Sequence, residues 1–476
     1  MIELSRDRLA RLGLAAVAFL TLGAWKVGPN FHQPPAPVSG AWMGGQPGPA
    51  VSPDAWWASF DDPELSRVVA RALAQNTDIQ QAAARVLQAR AEAKAAGAAL
   101  LPEADATGSV SQTTMSLQSP IGTLVRDIPG FERRYADYQL GAQASWEIDL
   151  FGGLQRQRDA AGANARASEA ELAAVRVAVA AETADAYLQA RAFQARLAVT
   201  RNQEAVQADL VALVKRRAAQ GVASDREVHQ AEALLEGVRA DEPSLTAGLE
   251  AQFNRLDILM GAQPGTWRAE LATVQPIPAA PSVTDAAGPA GLLRRRPDVV
   301  AAEQRLIAAN AGIGAAISDY YPKVSISGLF GVDSLSTRQL FTGSAVASQI
   351  GAGLRWRLFD FGRVDAEVIQ ARGRYAESLA AWRGTVLRGA GEVETAFSDL
   401  AQRQARAKVL ALQIEDLTAA RRQAQQAYEA GVISLIEVRD ADRDLLIASD
   451  ELAQTRADAA RAAVEAYRAL GGGWVS

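Results

Sequence analysis

The amino-acid sequence predicts a mainly helical fold with a small β part, built by duplicating one long helical hairpin, and three observations carry this. A Gly-Val-x-Ser-x-x-Glu-Val turn occurs twice, at 221–228 and at 431–438, 210 positions apart. Each copy separates two alanine-rich runs with helical patterning, the first of each pair over 60 residues long. Ahead of each pair lie two stretches of about ten residues in which apolar and polar residues alternate, the period of a strand with one apolar face.

Composition narrows the function. Aromatic residues make up 6% of the 476 while alanine fills the helical runs, so those helices are expected to pack closely through small side chains. The formal net charge of -5 comes from intermixed acids and bases, which leaves no basic stripe for nucleic acid. There is no cysteine, which removes disulfides, thiolate metal sites and cysteine nucleophiles. Neither His32 nor His229 stands in a zinc-like spacing, and no phosphate-cradling glycine loop or Gly-x-Ser-x-Gly elbow occurs. The chain is therefore expected to be no enzyme and to use no metal or cofactor.

In chain order, residues 1–24 read as an export signal: Arg6, Arg8 and Arg11 precede an apolar run at 12–24 that is too short to span a bilayer. Residues 25–61 form an N-terminal segment whose prolines favour an extended course. The first structural repeat covers 62–261 and the second 292–470. A connector at 262–291, rich in proline, alanine and glycine, joins them, and 471–476 is a tail. A helical pattern runs from Pro63 to about Leu101 and again from Pro297 to Tyr321. At an offset of 220, Arg85, Leu87, Pro102 and Gly108 fall opposite Arg305, Ile307, Pro322 and Gly328. Pro297, just past three arginines, suits the first turn of a helix.

The alternation then predicts four strands. The first, 103–111, has small residues on its apolar face. In the second, Leu140, Ala142, Ala144, Trp146 and Ile148 alternate with Gln143, Ser145, Glu147 and Asp149. Val324, Ile326, Phe330 and Val332 alternate with Lys323, Ser325, Ser327 and Asp333 in the third. In the fourth, Ile350, Ala352, Leu354, Trp356 and Leu358 alternate with Gly351, Gly353, Arg355 and Arg357. Loops at about 113–136 and 334–347 connect each pair. Such strands suit a membrane barrel, with lipid on one face and a watery lumen on the other, and they also suit the edge of a soluble sandwich. In the barrel, Glu147, Asp149, Arg355 and Arg357 face the lumen. Four strands cannot close a barrel, so copies of the chain must share one: two copies give eight strands, three give twelve.

Past Phe151-Gly152-Gly153 and Phe361-Gly362-Arg363 each half enters its long helix, about 100 Å if continuous. Val386, Ala390, Val393, Phe397 and Leu400 form a heptad seam that asks for a partner helix. Return helices are expected at 224–259 and 434–470. At the turns, Gly221 and Gly431 take the left-handed conformation that ends a helix, and Ser224 and Ser434 cap the next one. Glu437 and Asp440, three apart beyond the second turn, share a helix face. In the first repeat Glu227 matches Glu437, while Gln230 replaces the second acid.

Three stretches carry a family resemblance: Trp25-Lys26-Val27-Gly28-Pro29-Asn30-Phe31, the run from Asp54-Ala55-Trp56-Trp57 to Asp61-Asp62-Pro63-Glu64-Leu65, and Arg295-Arg296-Pro297-Asp298-Val299. They resemble signatures of the TolC-like outer-membrane factors, in the NodT branch that serves tripartite efflux pumps, and the likeness covers nearly the whole chain from Val27 onward. The resemblance implies a homotrimer in outer-membrane lipid, with a shared 12-stranded transmembrane β-barrel continued by a trimeric α-barrel through the periplasm. The connector would add to a belt around the helices. Gly221, Val222, Ser224, Gly431, Val432 and Ser434 would form the periplasmic tip that meets an adaptor (membrane fusion) protein. Glu437 and Asp440, with Glu227, would ring the entrance. This branch usually carries a lipid-bearing cysteine just before Val-Gly-Pro; Trp25 stands there, so no lipidation is expected.

The expected function is the outer-membrane channel of a tripartite efflux system in a Gram-negative cell. It would passively conduct small molecules such as drugs from an inner-membrane resistance-nodulation-division type pump and its adaptor to the outside. Competing readings are a duct for type I protein secretion and a non-conducting coiled-coil scaffold of the envelope. A scaffold has no use for polar lumen-facing strand residues or for two matched tip turns.

Overall fold

The computed structural model describes residues 26–38, 40–43, 53–285 and 288–474. The export signal and Trp25 lie outside the described residues. A 3-10 segment at Pro53–Phe60 ends the N-terminal stretch. Then follow helix α1 (Pro63–Gln75), α2 (Thr77–Ala98), strand β1 (Glu103–Thr114), α3 (Pro120–Val125), β2 (Arg134–Ile148), the long α4 (Gly153–Ala219) and its return α5 (Asp225–Leu259). The second half has α6 (Arg268–Leu271), α7 (Gly288–Arg295), α8 (Pro297–Ser318), β3 (Lys323–Ser334), β4 (Val346–Arg355), α9 (Arg363–Glu429) and α10 (Leu435–Ala469). Most equivalent elements match in length: α2 and α8 have 22 each, β1 and β3 12, α4 and α9 67, α5 and α10 35, while β2 has 15 and β4 10.

Two compact units divide the chain. Among the described residues, one gathers 26–33, 87–166 and 304–380; the other gathers 34–38, 40–43, 53–86, 167–285, 288–303 and 381–474. In the first unit the four strands form one antiparallel sheet in the order β1-β2-β3-β4. β4 stops at Arg355, short of the expected Leu358, because Arg355 pairs with Lys323, the first residue of β3, and no partner remains beyond it. The Trp356 indole N–H donates instead to the Tyr320 carbonyl at 2.9 Å. Each pair of strands runs further toward its connection than expected, so the connections shorten to 115–133 and 335–345.

In the second unit, alanines let large side chains pack between closely spaced helices. Trp56, Leu65, Val68, Tyr187, Leu188, Leu256 and Met260 are buried among Ala460, Ala463 and Ala466. Trp56 stacks on Tyr467 with ring centroids 5.4 Å apart. The predicted seam runs into this interior: Val393, Phe397 and Leu400 belong to it with Ala390 packed against it, and Val386 is also buried.

The single helix expected from Pro63 breaks at Asn76, whose φ of -60° and ψ of 133° are extended. Its side-chain oxygen accepts from the N–H groups of Asp78 (2.8 Å) and Ile79 (3.2 Å), capping α2. Its amide donates to the Leu259 carbonyl at 3.0 Å. The connector is fixed by side chains of the helices it crosses: Arg191 donates to Thr273 O (2.6 Å), Gln194 to Leu271 O (3.0 Å) and Gln404 to Ala280 O (3.3 Å).

Candidate functional site

The sheet and the helical turns are the two places where the structure leaves chemistry exposed. Across the sheet the register collects the apolar residues on one face. Leu140 stands between Gly108 and Val332, Ala142 between Ala106 and Phe330, Ile326 between Trp146 and Ala352, and Val324 between Ile148 and Leu354. This face is open in the chain, with Phe330 66% and Ile350 88% exposed. The other face is polar: Asp105 pairs with Gln143, Ser327 with Ser145, and Glu147 with Ser325. An exposed apolar sheet of this kind needs an apolar surround. No helix among the described residues is long and apolar enough to cross a membrane.

Glu147 and Arg355 belong to the polar face of the strands. Asp149 and Arg357, expected on strands, fall just past their ends. The Asp149 carboxylate accepts the Gln155 N–H (2.7 Å) and so caps the first turn of α4, while Arg357 pairs with Glu367 at 3.1 Å. Arg357 lies past the start of β3 and has no partner there, and both side chains serve the helix starts instead.

Each turn between long helices is built in the same way. Gly221 has φ +75° and Gly431 φ +77°, in the region where a side chain is strained. The Gly221 and Val222 N–H groups donate to Ala218 and Arg217 carbonyls at 2.9 Å, and Gly431 and Val432 to Tyr428 and Ala427 at 2.9 Å, closing the helix ends. Beyond them Ser224 and Ser434 open the return helices. Val222 and Val432 are 62% and 76% exposed, and no atom lies within 4 Å of a Cβ built on either glycine. The two turns of one chain are tied together, since Arg217 donates to the Tyr428 carbonyl at 2.8 Å and lies over its ring at 4.5 Å.

The acids beside the turns divide their roles. Glu227 accepts the Ser224 N–H at 2.7 Å and Glu437 the Ser434 N–H at 3.3 Å, the reciprocal half of a capping box. The backbone bond from Ser224, ahead of its hydroxyl and nearby arginines, holds the Glu227 carboxyl below the usual range. Asp440 is paired with Arg439 at 3.1 Å and lies 3.9 Å from Arg443. One acid escaped the sequence reading: Asp442 is 2% exposed and takes Arg421 at 2.8 Å and Gln207 at 3.4 Å. The signal was present, because Leu435, Val438 and Asp442 stand at spacings of three and four on one buried stripe.

No cluster of three or more metal-ligating side chains occurs among the described residues. A family model described as "Outer membrane efflux protein" matches residues 68–262 and 289–472. Outer membrane protein OprJ of Pseudomonas aeruginosa is 32% identical, with 98% of this chain and 97% of that protein covered. Nodulation protein T of Rhizobium leguminosarum is 27% identical, with 96% of each covered. The solved structure of the outer-membrane channel OprN superposes with a TM-score of 0.85 at 32% identity, covering 94% of this chain and 99% of that one.

Proposed function

The chain belongs to the outer membrane efflux protein family, and from that premise we propose how the channel is assembled and what it meets. It is an outer-membrane efflux channel and not an enzyme. In our reading three copies share a 12-stranded barrel that opens into a helical barrel in the periplasm. There the tips meet an adaptor, and through it an inner-membrane pump of the resistance-nodulation-division type, to pass small molecules outward. No cofactor takes part.

One observation carries the assembly. The apolar face is continuous over four strands, while the outer edges of β1 and β4 pair with no strand of this chain among the described residues. In lipid an unpaired edge is too costly to persist, so β4 of one copy takes β1 of the next until the ring closes. The likeness to TolC-like channels favours three copies over two. Mass measured under native conditions in detergent is expected at three times that of the chain. A value of two would mean an eight-stranded barrel, and a folded monomer stable in lipid would overturn the shared barrel.

The tip reading rests on the exposed Val222 and Val432 beside rigid glycine turns. The entrance ring rests on Asp440 and Glu437, which three-fold symmetry would multiply and which would raise the local cation concentration where the mouth is narrow. Glu437→Gln keeps an acceptor for the Ser434 N–H, so with Asp440→Asn it removes charge and spares the cap. That double variant is expected to show weaker cation preference in single-channel recordings at low salt, and the difference should fade near 1 M, where screening acts within about 3 Å. Unchanged selectivity at low salt with an intact trimer would return both acids to capping and surface pairing.

A further inference from the structure

The sheet-bearing unit contains a basic cleft that the channel reading does not use. Its volume is about 490 Å³, and Lys26, Arg156, Arg158 and Arg166 line it with Asp159 as the single carboxylate. The N-terminal segment forms one wall and is firmly built in. Arg156, 4% exposed, donates to Val27 O and Gly28 O at 3.0 Å and to Asn30 Oδ1 at 3.2 Å. Asn310 of α8 donates to Pro29 O at 3.1 Å. At Gly28, φ +85°, a Cβ would stand 2.4 Å from Gly314 Cα, so the backbone approach there excludes a side chain. Lys26 and Arg158 both turn to Asp159, the latter at 3.3 Å, and Arg166 is held by Gln304 at 2.8 Å. One carboxylate among four cations leaves the cleft strongly positive, and Arg156 is satisfied by uncharged oxygens alone in the contacts just given.

Its depth identifies what such a cleft would meet. Arg156, Arg158 and Asp159 lie in the first two turns of α4, which starts five residues after β2 ends. At 1.5 Å per residue Arg156 and Arg158 stand about 5–8 Å past the helix start, the thickness of the polar headgroup layer on one side of the hydrocarbon; Lys26 lies at the start itself, where the Val27 N–H donates to Phe151 O at 3.1 Å, and Arg166 is about 20 Å along. The same end of the sheet carries an aromatic belt: Phe151 stacks on Tyr321 at 4.5 Å, Trp146 donates to Leu100 O at 2.9 Å, and Trp356 and Phe359 are 50% and 91% exposed. Aromatic rings of this kind mark the membrane–water interface.

We propose that this cleft binds the phosphodiester headgroup of a phospholipid in the leaflet on the helical side of the barrel, one per chain. The inference takes its depth from the membrane-spanning sheet and goes beyond the channel reading. Lys26 and Arg158 grip the phosphate; Arg156 holds the wall and is left untouched in the test. Trimer purified in mild detergent is incubated with phosphatidylglycerol, with diacylglycerol of the same chains, or with inorganic phosphate, and bound mass is read by native mass spectrometry. Wild type is expected to retain phosphatidylglycerol, up to one per chain, and neither of the other two. Lys26→Glu with Arg158→Glu is expected to bind it at least about tenfold more weakly, and Lys26→Arg with Arg158→Lys to keep most of it. Equal retention of diacylglycerol would assign the adduct to acyl contacts, and equal retention of inorganic phosphate to a free-anion site; either overturns the proposal, as does unaltered binding by the glutamate variant. Should that variant fail to assemble, the wild-type comparison of the three ligands still decides. The trimer mass in the same spectra reports separately on the shared barrel.

Discussion

Ile350→Arg is expected to remove the assembled channel from the outer membrane. Ile350 sits mid-strand in β4, opposite Gly328 of β3, on the apolar face and 88% exposed in the single chain. An arginine facing lipid at the bilayer midplane costs roughly 2–4 kcal/mol per site. Three copies in the proposed barrel would multiply this to about 6–12 kcal/mol, comparable with the whole stability of a typical domain. The neighbouring Gln349 lies on the polar face opposite Leu329, so Gln349→Arg places the same group in water and is expected to change stability by no more than about 0.5 kcal/mol. Trimer in outer-membrane fractions, quantified for both variants beside wild type, checks this. Recovery of the Ile350 variant at wild-type level, or equal loss of both, would mean that the faces have been assigned to the wrong solvents.

The strand faces could be read from sequence because their period is two and each face meets a single kind of neighbour; β3 keeps the set expected from Val324 to Val332. The matched lengths of the repeats were legible for a similar reason, since the two tip turns are chemically specified by Gly221 and Gly431 with their capping serines. What escaped depends on partners distant in the chain. Alternation continues through Trp356 and Leu358, yet β4 ends where β3 begins, and no local pattern reports that. At Asn76 helical periodicity continues across the break, and only a capping side chain that also reaches the Leu259 carbonyl decides for two helices. Glu437, expected in the entrance ring, also closes the capping box that Ser-x-x-Glu spells at the start of a helix. Asp442 lay hidden because its arginine partner is 21 residues back on the preceding helix.

Replacing Val222 and Val432 together by aspartate is expected to abolish efflux while leaving the trimer whole. The two valines project from glycine turns at both tips of every chain, 62% and 76% exposed. Little intrachain packing is lost on mutation, and folding stability should move by no more than about 0.5 kcal/mol. Docking is another matter, because an adaptor that covers these apolar groups must bury a carboxylate at each. A buried polar group without a partner costs about 1–3 kcal/mol in proteins, and a charge costs more. Six such sites around the proposed three-fold ring would sum to about 6–18 kcal/mol, so a loss of at least about 100-fold, or about 2.7 kcal/mol, is a conservative expectation. Val222→Leu with Val432→Leu keeps the surface apolar and should retain coupling. Crosslinking and co-purification of the adaptor, with drug susceptibility of the same cells, measure the effect, and native mass verifies assembly. Undiminished efflux by the aspartate variant, with the trimer intact, would move the docking surface away from the tips and onto the sides of the helical hairpins.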